Sequence, residues 1–557
     1  MDHLAPSISG VAWNDEKRRG RRPAVVGAAV VGLLAGGLAL APAALAATPE
    51  NSGTPTSVVV RALPGHLSDA QASVRAAGGT VRRTMDSLET VSATVPASAL
   101  PVLRHGAGVA SVSVNGKVTL SADTGSYNAA NDANSIFHSL GSMGAQRYYA
   151  AGMTGKGVDI ALIDSGVTAV PGLDAPGKVV KGPDLSEEGQ VPNLDGMDTN
   201  GHGTFMAGLI AGKDGNGLRD AKYFLGAAPD ARIISVKAAD AIGATDVSQV
   251  LAGIDWVVQH KNDNGMNIRV LNLSFGTTST QSYLLDPLAY AVEVAWRHGI
   301  FVVVSAGNHG TTLNSLTSPA INPFVMAVGA EDTNNTINRS DDTIPSFSSY
   351  GTETRKPDLV APGKSVTSLR VPGSYLDSTY PAARVGDRFF RGSGTSQAAA
   401  YVSGAAALVL QQRPTLTPDQ LKDLFKGTAS RLQSADSLAQ GAGAVNLSAL
   451  YSKAVNPLAV QVFAPATGLG SLEAARGSDH LSMNGVELRG EKDIFGNDFS
   501  SAVWAPMSAA GTSWNGGAWN GSTWTGPGWS SSGLSWSGVS WSGVSWSGVS
   551  WSSTDWA

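Results

Sequence analysis

Three short, glycine-flanked segments of this 557-residue chain carry an acid, a base and a nucleophile, in that order. A serine hydroxyl becomes a good nucleophile when an imidazole takes its proton and a carboxylate holds that imidazole in the right tautomer. Small neighbours let a substrate backbone come close to such residues. The pattern predicts Ser396 as the nucleophile, His202 as the general base and Asp164 as the orienting carboxylate. The three segments are Ile163-Asp164-Ser165-Gly166, Gly201-His202-Gly203-Thr204 and Gly392-Ser393-Gly394-Thr395-Ser396-Gln397-Ala398.

A fourth segment, Ala306-Gly307-Asn308, offers a donor for the anion that forms when a carbonyl is attacked. It follows a predicted strand, whereas Ser396 lies at the start of a predicted Ala-rich helix. Free N–H groups and the helix dipole favour negative charge at such a position. We therefore expect the Asn308 side-chain amide and the Ser396 backbone N–H to form an oxyanion hole. Each donor of such a hole contributes about 3 kcal/mol in comparable sites.

Apolar strands alternate with helical patterns over residues 138–455. Near-continuous Val- and Ile-rich runs are typical of parallel strands covered on both faces. We expect an α/β domain with a doubly wound, mostly parallel sheet and helices on both faces. Ligand sites in such sheets collect at the carboxyl ends of strands, where Asp164 and Asn308 are expected. The predicted strands are 158–163, 231–237, 268–275, 300–305 and 324–328, and the predicted helices are 203–211, 246–260, 284–298 and 396–411.

Composition excludes several classes of site. The net charge of −5 argues against general nucleic-acid binding. The sequence contains no cysteine, which excludes disulfides, thiolate metal sites and a cysteine nucleophile. Export stays compatible with this composition, because a large core needs no covalent cross-links.

The first 46 residues have the pattern of an export signal. A basic cluster at residues 17–22 precedes an uncharged run, residues 23–46, rich in Ala, Val, Leu and Gly. Ala44-Leu45-Ala46 resembles a small-x-small cleavage site, so we predict cleavage near Ala46 and a secreted protein. A retained membrane anchor is the alternative, although the Ala and Gly content and Pro42 make the run a weak span.

The expected secondary structure and composition divide the chain into six parts. We expect a small α+β domain before the main one. Its strands are predicted at 57–61, 91–95 and 109–120 and its helices at 67–77 and 98–104, with Ser98 as the N-cap of the second helix. The polar segment after it reads as an exposed linker. The six parts are a signal (1–46), the small domain (47–125), the linker (126–137), the main domain (138–455), an extension (456–506) and a Trp/Ser/Gly-rich tail (507–557).

Taken together, the four motifs resemble those of the subtilisin-like (subtilase) serine endopeptidases. That family's Asp, His, oxyanion-Asn and Ser motifs are matched in the family's order. The matching segments are Asp164-Ser165-Gly166, His202-Gly203-Thr204, Ala306-Gly307-Asn308 and Gly394-Thr395-Ser396. The resemblance implies hydrolysis of protein or peptide substrates through an acyl-enzyme, with no required cofactor. It also implies that residues 47–125 form a ferredoxin-like inhibitory propeptide, the chain's own partner.

The same resemblance assigns a substrate-binding strand, whose backbone would pair with an extended peptide. Gly276 at its end would leave room for a substrate side chain. Five positions near the motifs depart from the family's common residues, and they bear on pocket shape and rate because none removes a catalytic atom. The strand residues are Leu273, Ser274, Phe275 and Gly276, and the departures are Gln397, Ala400, Tyr401, Phe205 and Met206.

Acidic clusters leave calcium open, and we assign no metal ligand. Each cluster fits either a calcium site or a solvated loop. Four histidines lack metal-ligand spacing and are expected at structural or surface positions. The acidic clusters are Asp184 with Glu187 and Glu188, Asp195 with Asp198, and Asp341 with Asp342; the histidines are His260, His298, His309 and His480.

Tryptophan recurs every five residues in the tail, at Trp514, Trp519, Trp524 and Trp529, and the period resumes at Trp536. Regular indole rings can stack on carbohydrate or adhere to a cell surface, whereas a low-complexity appendage needs no ligand. The alternative function is therefore a non-catalytic cell-surface protein that binds cell-wall polymers through these repeats. A serine esterase is disfavoured, because its Gly-x-Ser-x-Gly elbow and Ser, Asp, His order are missing.

Overall fold

The computed structural model describes residues 54–114, 128–191, 193–215, 222–311, 316–483 and 486–524. The chain divides into two compact units, one within residues 1–120 and the other within residues 121–557. The predicted export signal, and the Trp repeats from Trp529 onward, lie outside the described residues. Among the helices in the described ranges, none combines the length and apolarity that a bilayer crossing requires.

The N-terminal unit has the chain order β-α-β-β-α-β, with an antiparallel sheet in the order β2-β3-β1-β4. This is the ferredoxin-like arrangement, as expected. Its core lies between helix α1 and the inward side chains of β1 and β3, such as Val58, Val60 and Ala93. The elements are β1 (Pro55–Ala62), α1 (Leu67–Ala76), β2 (Thr80–Met85), β3 (Thr90–Pro96), α2 (Leu100–Leu103) and β4 (Val109–Val114).

Two details of this unit differ from the predictions. Strand β2 was not predicted, because it lies at the sheet edge and buries none of its side chains fully, so its sequence lacks apolar alternation. Helix α2 begins at Leu100, and Ser98 lies in the preceding 3₁₀ turn with no side-chain cap. The propeptide role of the unit stays a prediction.

The second unit is built on a parallel seven-stranded sheet in the order β11-β10-β9-β8-β5-β7-β6, which confirms the expected α/β class. Strand β6 was missed because Gly and Pro interrupt it, and β11 because it spans only four residues. The strands are β5 (Asp159–Asp164), β6 (Val179–Asp184), β7 (Arg232–Lys237), β8 (Ile268–Leu273), β9 (Phe301–Ser305), β10 (Met326–Glu331) and β11 (Leu359–Pro362).

Helices flank this sheet, and two of them carry predicted catalytic residues at their first turn. Helices α5 and α9 pack against each other, and α9 also packs on β8, β9 and β10. Helix α6 is started by Asp246, whose side chain accepts from Ser248 N in a capping box with Gln249. The helices are α3 (Ile136–Met143), α4 (Gln146–Ala150), α5 (His202–Ala211), α6 (Val247–His260), α7 (Pro287–Arg297), α8 (Tyr375–Thr379), α9 (Thr395–Gln412), α10 (Pro418–Thr428), α11 (Ser437–Gln440) and α12 (Leu447–Ser452).

The described part of the predicted linker differs from an exposed connection. Ala129 and Ser135 are buried, and Ser135 caps helix α3. Asp132 accepts from Arg391 and from Thr367 on a small sheet that packs against α5. Residues 128–137 therefore belong to the second unit. That small sheet consists of β12 (Val366–Leu369), β13 (Arg384–Val385) and β14 (Phe389–Gly392).

The C-terminal extension continues the fold instead of ending before the Trp repeats. Helix α14 packs against α7, α13 against α6 and α7, and β17 against α6. The predicted boundary between an extension ending at residue 506 and a separate tail is therefore wrong for residues 507–524. The elements are α13 (Leu472–Arg476), β15 (Ser482–Met483), β16 (Val486–Glu487), α14 (Ser501–Ala510), β17 (Trp514–Asn515), β18 (Ala518–Trp519) and β19 (Ser522–Thr523).

Three tryptophans of the repeat are buried, which counts against the alternative in which their rings stack on carbohydrate. Trp514 is 6% exposed, Trp519 1% and Trp524 0%. Two-residue turns with positive φ, Gly516-Gly517 and Asn520-Gly521, reverse the chain between the short strands. Trp514 and Trp519 consequently lie directly opposite each other, so a five-residue period puts both rings on one face.

Candidate active site

Asp164 and His202 are joined by a buried hydrogen bond. Asp164 ends strand β5 at the carboxyl edge of the sheet, and His202 is the first residue of helix α5. His202 Nδ1 donates to Asp164 Oδ1 at 2.8 Å, and each side chain is 1% exposed. A carboxylate only accepts, so this bond fixes the proton on Nδ1 and leaves Nε2 as the basic nitrogen.

Glycines let the start of α5 come against the turn after β5. A Cβ atom on Gly203 would lie 2.1 Å from the Gly166 carbonyl oxygen and 3.2 Å from Asp164 Oδ1. Gly201, with φ of +105°, turns the chain immediately before His202. Gly203 is thus required by the close approach of α5 to the turn after β5, and Gly201 by its positive φ.

A second buried carboxylate, Asp198, links the acid and base segments and was missed by the sequence analysis as a site residue. Its Oδ1 accepts from Ser165 Oγ at 2.8 Å and from Gly201 N at 2.7 Å, and its Oδ2 accepts from Thr204 N at 2.7 Å. Burial raises the pKa of Asp198 above its ordinary value, and the hydrogen bonds from Thr204 and Gly201 offset this only in part. Asp close before a helix start is a preferred capping residue, and that signal could have found it.

Lys237 also ties the two segments together. It ends β7 opposite Asp164 in register and is 1% exposed. Its ammonium donates to the carbonyl oxygens of Ser165 (3.0 Å) and Met197 (2.7 Å) and pairs with Glu188 at 2.7 Å. One cation therefore connects the turn after Asp164 with the loop before His202.

Five of the seven acids considered for calcium have protein partners, whereas Glu187 Oε1 and both carboxyl oxygens of Asp342 have no hydrogen-bond partner within the described residues. Asp184 accepts from Ser186 and from Gly196 N, and Asp198 and Glu188 are engaged as above. Asp195 pairs with Lys181, and Asp341 accepts from Thr336 Oγ1. Among the described residues, no three His, Cys, Asp or Glu side chains are grouped as metal ligands.

Ser396 is the second residue of helix α9 and is buried. Its Oγ donates to the Ser274 carbonyl oxygen at 3.0 Å. Because α9 packs against both α5 and β8, the helix start lies at the same sheet edge as the predicted substrate strand. This bond brings the predicted nucleophile and that strand into direct contact.

Asn308 faces the start of the same helix. Its Oδ1 accepts from Thr395 N at 2.8 Å and from Thr395 Oγ1 at 3.0 Å. A backbone N–H is an unambiguous donor, so it identifies the amide oxygen and directs the Asn308 NH₂ group elsewhere. The Asn308 side chain therefore lies at the start of α9, next to the residue before Ser396, and its oxyanion role stays a prediction.

The predicted substrate strand runs off the end of β8. Leu273 is its last residue, Ser274 Oγ accepts from Asn272, and Phe275 is buried. A Cβ atom on Gly276 would lie 2.3 Å from Thr317 Oγ1, so Thr317 fills the space expected to be open there. Thr317 was missed by the sequence analysis, because no local motif marks it.

The five positions that depart from the family pattern are buried, and three of the four histidines weighed above as metal ligands bond to protein groups through their rings. Gln397, Ala400, Tyr401, Phe205 and Met206 are all buried. His260 bonds to the Trp256 carbonyl, His298 to the Ala509 carbonyl and His480 to Glu473. His309 follows Asn308, and its backbone N–H donates to Ser349 Oγ.

Comparison with known proteins identifies a family and several serine proteases to which this chain is similar. The sequence profile of the subtilase family matches residues 155–443. Serine protease AprX of Bacillus subtilis (strain 168) is 39% identical over 302 residues, which are 53% of this chain and 66% of AprX. Subtilisin Savinase of Lederbergia lenta is 37% identical over 298 residues, 54% of this chain and 92% of that protein. A crystal structure of a cold-adapted subtilisin-like serine proteinase matches with 30% identity and a TM-score of 0.40, covering 53% of this chain and 90% of that chain.

Proposed function

Because this chain belongs to the subtilase family of serine-type endopeptidases, we propose that it hydrolyses peptide bonds through an acyl-enzyme on Ser396. His202 is the general base, Asp164 orients it, and Asn308 stabilises the oxyanion. The observation that carries this assignment is the buried bond from His202 Nδ1 to Asp164 Oδ1 at 2.8 Å. It presets the tautomer in which Nε2 can accept a proton.

The reaction begins when the Ser396 hydroxyl turns from the Ser274 carbonyl toward His202 Nε2. Nε2 takes the proton as Oγ bonds to the substrate carbonyl carbon, and the carbonyl oxygen becomes an anion. The Asn308 NH₂ group and the Ser396 N–H donate to that anion. The protonated imidazole then gives its proton to the leaving amine, and water repeats the sequence to release the acid.

Leu273, Ser274, Phe275 and Gly276 would hold the substrate as an added strand. Their backbone leaves β8 beside Ser396, so an extended peptide paired with it would present a carbonyl carbon to Oγ. This geometry favours protein and peptide substrates. It requires no cofactor, since the base, the nucleophile and the anion donors all come from the chain.

The protein is proposed to be exported as a precursor. Residues 1–46 have the signal pattern, and the ferredoxin-like unit would act as an intramolecular inhibitor until it is cut off. The rival function, a non-catalytic wall-binding protein, loses support because three of its predicted binding rings are buried against the peptidase domain. Surface association through the tail rests only on tryptophans outside the described residues.

The test is peptide hydrolysis by matched serine variants. Ser396→Ala should lower kcat by at least about 10⁴-fold, as expected for loss of a triad nucleophile. Ser452→Ala makes the same change at an exposed position and should keep full activity. Residual hydrolysis by purified Ser396→Ala at more than a hundredth of the wild-type rate would contradict the assignment.

A further inference from the structure

Asn272 is a buried polar residue in an apolar stretch of strand β8. It is 0% exposed, as are Val270, Leu271 and Leu273 around it. An amide buried in such surroundings without hydrogen-bond partners would be strongly unfavourable. Both ends of the Asn272 amide have partners, and these lie on two segments that the proposed reaction uses.

The Asn272 amide joins helix α9 to the segment that follows β8. Its Oδ1 accepts from Ser403 Oγ at 2.8 Å, and its Nδ2 donates to Ser274 Oγ at 2.8 Å. Ser403 lies about two turns after Ser396 on α9, and its Oγ also lies 2.9 Å from the Ala399 carbonyl oxygen. One side chain thus connects the helix that carries the predicted nucleophile with the predicted substrate strand.

Ser274 continues this network to Ser396. Its Oγ accepts from Asn272 and so keeps its own proton for the Ser396 carbonyl oxygen, which lies at 3.4 Å. Its backbone carbonyl oxygen accepts from Ser396 Oγ at 3.0 Å. Ser274 is 1% exposed and Ser403 0%, so water does not compete for these groups. The network therefore sets where the substrate strand lies relative to the start of α9.

We propose that Asn272 is a positioning residue, which fixes the substrate strand at the distance from Ser396 that attack on a bound peptide requires. This inference rests on the proposed function, because it needs a peptide paired along the segment from Leu273 to Gly276 with its carbonyl carbon at Ser396 Oγ. Without the amide, Ser274 loses its link through Asn272 to α9. The strand can then shift relative to the nucleophile.

Such a shift carries the paired peptide along with the strand, so it changes the geometry of attack more than the affinity for the peptide. A displacement of about 1 Å can lower a rate about 10²-fold. Asp164 and His202 lie on β5 and α5 and are joined by their own buried hydrogen bond. The reactivity of Ser396 toward a small reagent, which does not pair with the strand, should therefore not depend on Asn272.

The experiment compares peptide hydrolysis with labelling of Ser396 by a small fluorophosphonate that has no peptide portion. Asn272→Leu removes both hydrogen bonds and keeps a side chain of similar size. Its kcat on a peptide should fall at least about tenfold, while KM and the labelling rate constant each change less than about threefold. Asn446→Leu makes the same exchange at the cap of helix α12 and should leave all three quantities unchanged.

Ser403→Ala is a milder change, which provides the test if Asn272→Leu fails to fold. It removes only the donor to Asn272 Oδ1, so kcat should fall at least about threefold with the labelling rate constant unchanged. In the double variant, Ser403→Ala should lower kcat no further than Asn272→Leu does alone, because the two side chains act through one bond.

The outcomes separate this proposal from the proposed function. Equal losses of kcat and of the labelling rate constant in either variant would mean that the nucleophile itself is damaged, and this would overturn the positioning role. An unchanged kcat in folded Asn272→Leu or in Ser403→Ala would overturn it as well. A wild-type protein that neither hydrolyses peptides nor reacts with the fluorophosphonate would contradict the proposed function instead.

Discussion

At the scale of single residues, the acid and base are held by side chains that take no part in proton transfer. Asp198 accepts from Ser165 Oγ and from two N–H groups at the start of α5, and Ser165 Oγ also accepts from Gly203 N at 3.0 Å. Ser165 follows Asp164 directly in the chain, so this network fixes the distance between the carboxylate and the imidazole. Reaction rates depend steeply on such positioning.

Asp198→Asn should therefore lower kcat about tenfold while KM changes less than about twofold. The substituted amide puts an NH₂ group against one of the donors that the carboxylate now accepts from, so the start of α5 shifts relative to Asp164. Steady-state kinetics on one peptide measures the split. Asp195→Asn, in the same loop but paired with Lys181 at the surface, is the matched control and should behave as wild type. A rise in KM with unchanged kcat would contradict the positioning role.

Glu331, the last residue of β10, should make stability depend on pH. It is 1% exposed, neither carboxyl oxygen has a hydrogen-bond partner within the described residues, and burial raises its pKa from 4.5 to about 8. Between these two values the folded state binds more protons than the unfolded state, so the free energy of unfolding falls as pH rises. Below this pH range the Glu331 carboxyl is protonated, so the free-energy cost of burying its ionised form is absent.

Glu331→Gln mimics the protonated form and should remove that loss. In a Ser396→Ala background, which prevents autolysis, its Tm should exceed that of the background by several degrees at pH 8 and match it at pH 5. Differential scanning calorimetry measures both. Glu353→Gln, at a side chain that is 83% exposed, is the control and should leave Tm unchanged at either pH. An equal effect of Glu331→Gln at the two pH values would refute the account.

At the scale of elements, one buried carboxylate anchors the extension to helix α6. Asp255 accepts from the indole N–H groups of Trp504 and Trp519, each at 2.8 Å, and from Ser508 Oγ at 2.5 Å. Trp514 donates to the Ala252 carbonyl on the same helix at 2.8 Å. The extension therefore forms an additional layer of the peptidase unit.

Trp519→Ala should lower the free energy of unfolding by about 3–5 kcal/mol, because it leaves a large cavity and removes a donor from Asp255. Trp519→Phe retains most of the ring volume and should cost about 1–3 kcal/mol, chiefly for the lost hydrogen bond to a buried charge. Urea unfolding of the Ser396→Ala protein measures both values. Losses below 1 kcal/mol for Trp519→Ala would show that this layer does not stabilise the unit.

The sequence analysis found the residues that short local motifs mark. Asp164, His202, Asn308 and Ser396 each stand beside glycine or small residues at the end of a strand or the start of a helix, so motif and context agree. The burial of Trp519 could not be predicted, because its partner Asp255 lies 264 residues away in sequence. The contact of Asp479 with Thr278, 201 residues away, is hidden for the same reason.

At the scale of the whole molecule, the chain combines a ferredoxin-like unit with a peptidase unit that includes its own C-terminal layer. The subtilase match ends at residue 443, so residues 456–524 lie beyond the matched segment. We expect export, removal of the N-terminal unit and retention of that layer in the active enzyme. Of these steps, self-removal of the N-terminal unit requires that Ser396 is the nucleophile.

Covalent labelling tests that claim most directly. Wild-type protein should react with a fluorophosphonate, and peptide mass spectrometry should place the adduct on Ser396 alone. The imidazole and the oxyanion donors activate one hydroxyl among the many serines of this chain. Ser396→Ala should stay unlabelled, while Ser452→Ala should label as wild type does. An adduct on another serine, or a labelled Ser396→Ala protein, would contradict the account.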